Sequence, residues 1–167
     1  DSGTVTIVET GEVIHAKRGF QVHATCNSKF LDDPTDAFAG TRGQNTSVLR
    51  RFFSMVYESP TVDQEAEFIQ SLYPDLDKGI VQKKAQFVVA LREAGKTATK
   101  IGNQSVQLSR TFCRSMVIDW LYLESTFGYL LSRGISPGQY ALGPVLTNLM
   151  PDHEKEAVNA LYDSILT

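Results

Sequence analysis

Chemically versatile residues are scarce in this chain: two cysteines, three histidines and one tryptophan among 167 residues. No histidine lies between His23 and His153, so the long central stretch has no imidazole for catalysis or ligation. Long apolar runs are missing as well. The richest, Met116 to Leu131, is broken by Asp119, Glu124 and Ser125, well short of the roughly 18 residues a bilayer span needs, and reads as a buried helix. Positive charge is not in excess. Sixteen Lys and Arg stand against 19 Asp and Glu, a net charge of -3, so the basic footprint of a nucleic-acid binder is missing from the chain as a whole. Internal repeats, low-complexity tracts and long linkers are absent, which points to a single domain. The chain opens on Asp1 without a charged-then-apolar leader. This is expected of a processed chain or of a fragment, and a cleaved leader would favour a secreted, organellar or polyprotein origin.

What is present is ordinary globular composition, 42% hydrophobic and 21% charged, in a length suited to one core. The first 25 residues read as strands. Thr4 to Glu9, Glu12 to Ala16 and Phe20 to Thr25 are short β-branched segments, separated by Thr10-Gly11 and Lys17-Arg18-Gly19. A three-stranded meander places Val5, Ile7, Ile14, Ala16, Phe20, Val22 and Ala24 on one face. Thr4, Thr6, His15, Gln21 and His23 fall on the other with Val8 and Val13, the period-2 sorting of a half-buried sheet.

Residues 26–45 are a connector, and helical periodicity follows. Thr46 caps a helix with an apolar face of Val48, Leu49, Phe52, Phe53, Val56 and Tyr57, ended by Pro60. Thr61 and Gln64 have capping-box spacing before Phe68, Ile69, Leu72 and Tyr73. A third helix is expected from Asp77 to about Lys100, weakened at Gly95. After a break at Gly102-Asn103, a fourth runs from Ser105 to about Ser132, with Gly134 as its C-terminal glycine. Ser136-Pro137 opens a fifth, which Gly143-Pro144 should kink or divide. Pro151-Asp152 opens the last, with a stripe of Ala157, Val158, Leu161, Tyr162, Ile165 and Leu166.

The motifs that could carry chemistry each have a plainer explanation. Gly95-Lys96-Thr97 looks like the end of a phosphate loop, but Ala90 stands where a glycine is required and the context is helical. Asp75-Leu76-Asp77-Lys78-Gly79 resembles the start of a calcium loop, with its glycine one residue early and Gln86 in place of the closing Glu; helix capping explains it better. His15 and His23 are diagonal neighbours in the expected meander, about 7–8 Å apart. They are weak metal candidates without a third ligand, and two polar residues on a wet sheet face is the favoured account. Cys26 and Cys113 can form a disulfide or be two separate thiols; the thiols are favoured because a core of this size needs no staple. Cys113 is expected on an apolar helix face, which would raise its pKa and make it inert. Asp119 is either a buried carboxylate with an arginine partner or a residue on the exposed seam of its helix. Arg50, Arg51, Arg110 and Arg114 are either a basic strip or an ordinary solvated face, and the acidic balance of the whole chain favours the solvated face. Asn45-Thr46-Ser47 and Asn103-Gln104-Ser105 match the glycosylation pattern, too short a match to decide anything.

The segment Gly134-Ile135-Ser136-Pro137-Gly138-Gln139-Tyr140 resembles the start of the penultimate helix of bacterial-type globins. Leu142, Leu146 and Leu149, then Glu156-Ala157, Leu161-Tyr162-Asp163 and Ile165, extend that resemblance through two closing helices, about the last fifth of the chain. Where such globins carry the iron-binding histidine, four residues before the position of Gly134, this chain has Leu130. The resemblance implies a globin-like fold without histidine-ligated haem, and a fold does not dictate a function.

The expected fold is mainly α: five or six helices in a bundle or globin-like helical sandwich with a small N-terminal three-stranded β-meander. Its divisions are residues 1–25 for the meander, 26–45 for the connector and 46–167 for the helical core. With no catalytic constellation, no metal set and no cofactor motif, the expected function is a non-catalytic structural or interaction subunit whose partners are other protein subunits. A self-assembling coat-type subunit is a special case. The alternative is a carrier holding a small hydrophobic ligand, a lipid or pigment, in an inter-helix cavity lined by Phe52, Phe53, Tyr57, Phe87, Met116 and Trp120.

Overall fold

A computed structural model describes residues 3–21, 23, 53, 58–101 and 104–167. The chain divides into two compact units, Asp1–Val56 and Tyr57–Thr167. In the first, β1 (Thr4–Thr6) and β2 (Val13–His15) pair antiparallel, with Val5 opposite Ile14, Thr4 opposite His15 and Thr6 opposite Val13. That register reproduces the sorting expected from the sequence. Gly11, at φ 71°, takes the left-handed conformation of the connecting turn, and its N–H donates to Ile7 O at 2.8 Å.

Two expectations for this unit are corrected. The sheet has two strands, not three, among the described residues: Phe20, Gln21 and His23 carry no strand pairing. The chain turns at Lys17–Phe20, where Phe20 N–H donates to Lys17 O, and none of the described residues that follow joins a ladder. Nor is one face half-buried, since Val5 and Ile14 are 67% and 48% exposed. Three-residue strands present too little surface to enclose a face. The expected connector and the helix beginning at Thr46 lie outside the described residues, Phe53 excepted.

The second unit is mainly helical. Helix α1 (Val62–Leu72) starts at Thr61 through the capping box: Gln64 N–H donates to Thr61 Oγ1 at 3.4 Å and Thr61 N–H to Gln64 Oε1 at 3.0 Å. Asp77 caps α2 (Lys78–Lys96), its Oδ1 accepting from the N–H groups of Gly79 and Ile80 at 2.8 and 3.2 Å. This cap accounts for the residues that look like a calcium loop.

After Lys96 the structure departs from the expected helix pair. In place of continued helix, β3 (Thr99–Ile101) runs antiparallel to β4 (Gln104–Val106), with Thr99 opposite Val106. Ile101 and Val106 are buried while Lys100 and Ser105 are exposed, the period-2 alternation of a short ladder. A Gly-Asn pair between two such segments is a hairpin signal, which the helical reading passed over. The next helix, α3, accordingly starts at Arg114 and ends at Thr126, and a 3₁₀ segment, Gly128–Arg133, follows it. Gly134 closes that segment at φ 71°. Ser136 caps α4 (Pro137–Val145), which stops one residue after Pro144, and a short 3₁₀ turn, Thr147–Leu149, leads to α5 (Asp152–Leu166).

Helix α1 packs on α2, α2 on α5, and α3 on α4. Phe87, Trp120, Phe112 and Tyr162 form the aromatic centre of the core, with the Phe87 ring 5.5 Å from those of both Trp120 and Tyr162. Gly95 has a packing reason: a Cβ there would lie 3.2 Å from Arg110 O and 3.3 Å from Thr111 Cα. Its absence lets the segment after the hairpin cross α2, where Leu108 N–H donates to Ala94 O at 2.8 Å. No helix among the described residues is long and apolar enough to cross a membrane.

Candidate functional site

Four charged side chains are buried in the helical unit: Glu65, Lys84, Arg92 and Glu154. The sequence reading singled out none of them. Each occupies a helix position in phase with an apolar stripe. Glu65 is four residues before Ile69, Lys84 stands between Val81 and Val88, and Arg92 follows Val88 by four. That phase was the available signal, because a charge in the stripe must be carried into the core. The interior of the unit thus carries charge as well as apolar packing.

Lys84 lies at the meeting of α2, α3, α4 and α5. Its Nζ is 2.7 and 2.6 Å from the two carboxylate oxygens of Glu124 and 4.6 Å from the centre of the Trp120 ring. Trp120 Nε1 donates to Gly138 O at 2.7 Å, which ties α3 to the first turn of α4. Tyr162 OH and Ser136 Oγ are 2.9 Å apart, which ties α5 to the α4 cap. Gly138 makes this convergence sterically feasible, since a Cβ at that position would lie 2.5 Å from Tyr162 OH and 2.7 Å from Glu124 Oε1. Burial pushes the Tyr162 phenol above its ordinary 10.0, the negative charge of Glu124 adds to the rise, and the contact with Ser136 opposes it. The phenol is thus held neutral. The chemistry here is mutual neutralisation and clamping: Glu124 is paired with Lys84 and the Ser136 hydroxyl with Tyr162 and the α4 cap, so no base stands beside the serine to activate it.

A second cluster joins α1, α2 and the start of α3. Arg92 donates from Nη1 and Nη2 to the two oxygens of Glu65, at 2.7 and 3.3 Å, and from Nε to Phe112 O at 2.9 Å. Arg114, half exposed, lies 3.5 Å from Glu65 and stacks over the Phe68 ring at 4.1 Å. Glu154, in the first turn of α5, accepts from the N–H and Oγ of Ser109, both at 2.9 Å. Among the described residues no buried side-chain nitrogen or oxygen is left without a hydrogen-bond partner.

The residues singled out from the sequence are dispersed. Phe87 and Trp120 are wholly buried and packed ring on ring, and Met116 packs against the same core. Phe53 is fully exposed, and Phe52 and Tyr57 lie outside the described residues. A groove of about 300 Å³ between α1 and α2 is lined by other side chains, among them Asp63, Glu67, Gln70, Lys78 and Gln82. His15, His23 and His153 are all exposed, and no group of three His, Cys, Asp or Glu residues suited to a metal occurs among the described residues.

Cys113 is a free, exposed thiol; Cys26 lies outside the described residues. The expected setting of Cys113 on an apolar helix face is corrected, because it is the N-cap of α3. Partial burial pushes its thiol up, but hydrogen bonds from the Ser115 hydroxyl, 3.0 Å away, and from the amides of Met116 and Ser115 outweigh that and leave it below the ordinary 9.0. Asp119 is on the exposed side of α3. Arg110 is exposed, Arg114 is engaged as described, and Arg50 and Arg51 lie outside the described residues.

The surface contrasts with this satisfied interior. Ile118 and Tyr122, four residues apart on α3, are 42% and 62% exposed. Tyr129, Leu131, Ile135 and Tyr140 follow at 60%, 68%, 42% and 53%. The Tyr140 ring meets Phe127 edge-on at 5.0 Å. No family model, curated protein or solved structure matches this chain.

Proposed function

We propose that the protein is a non-catalytic interaction subunit of a larger protein assembly. The observation that carries this reading is the apolar surface of α3 and the segment after it. Large side chains at Ile118, Tyr122, Tyr129, Leu131, Ile135 and Tyr140 stand in solvent although the unit has a well-filled core of its own. Concentrated exposed apolar residues are costly to keep unless something covers them. The interior adds support. Its buried charges bind one another and the backbone across helices, a use of charge that fixes packing and engages those groups in structure.

Native mass spectrometry of the protein taken gently from its source tests the reading. The expected result is a complex of defined mass larger than one chain. A single chain throughout, at the concentration found in the source, would overturn it.

A further inference from the structure

No further inference is drawn: the strongest candidate, the groove between α1 and α2 lined by Asp63, Glu67 and Lys78, is an open cluster of exposed charges of both signs, and nothing in the structure shows what covers it.

Discussion

Arg92 grips Glu65 with two nitrogens on two oxygens, at 2.7 and 3.3 Å, and Glu65 is wholly removed from solvent. This pair links the first turn of α1 to the last turns of α2, and the third donor of Arg92, Nε, holds the carbonyl of Phe112 just ahead of α3. One guanidinium thereby sets the relation of three segments, which suits the fixed fork of arginine and no other side chain.

Removing one member should leave the other charge buried and unanswered. Arg92→Met is expected to cost about 3–5 kcal/mol of unfolding free energy. The double replacement Glu65→Leu/Arg92→Met should recover much of that loss, because no orphaned charge remains. Urea unfolding of the three variants measures both effects, and equal losses in the single and double variants would refute the account.

A side chain at Gly138 is expected to displace Tyr162 and Glu124. Gly138→Ala places a Cβ 2.5 Å from Tyr162 OH and 2.7 Å from Glu124 Oε1, so both must shift, and overpacking of this kind costs about 1–3 kcal/mol. The Trp120 indole, which donates to Gly138 O, reports the displacement. A lowered Tm with a red-shifted tryptophan emission is the expected result, and Trp120 is the only tryptophan in the chain.

The raised phenol of Tyr162 makes part of the stability alkali-sensitive. In the unfolded chain the phenol loses its proton near 10.0, whereas in the folded protein it keeps the proton to a higher pH. The contribution is therefore whole below 10.0 and declines as pH rises through the folded value. Unfolding free energies measured across that range should fall more steeply for the wild type than for Tyr162→Phe. Parallel curves would show that the phenol is not held neutral.

Cys113 should behave as a reactive surface thiol. With its pKa below 9.0, the midpoint of its alkylation rate against pH is expected below that of a free cysteine. Ser115→Ala removes the hydroxyl hydrogen bond and should move the midpoint upward. A native protein whose Cys113 alkylates only after unfolding would contradict the exposed placement.

The starts of the helices were legible locally. Thr61 with Gln64, Ser136 with Pro137, and Pro151-Asp152 each occur where a helix begins, and Gly134 occurs where the 3₁₀ segment ends. Caps of this kind are satisfied by residues within four positions, so their signal survives in a linear reading. The hairpin at Thr99–Val106 was less legible. Its strands are three residues long, too short for alternation to be told from a helical stripe. The extent of α3 was misjudged for the same reason, since apolar residues on both sides of the hairpin blend into one continuous pattern.

From its sequence alone, this protein declares a mainly helical chain, the starts of most of its described helices and the shared face of Val5 and Ile14, because hydrophobic period, capping and turn chemistry act between near neighbours. Only the tertiary structure decides that Lys84 finds Glu124 forty positions away, that Arg92 finds Glu65, and that Gly138 must be bare for Tyr162 to reach Ser136. A buried charge is stable only beside a partner, and which distant residue becomes that partner depends on how the helices pack, which is a property of the whole fold and not of any one segment.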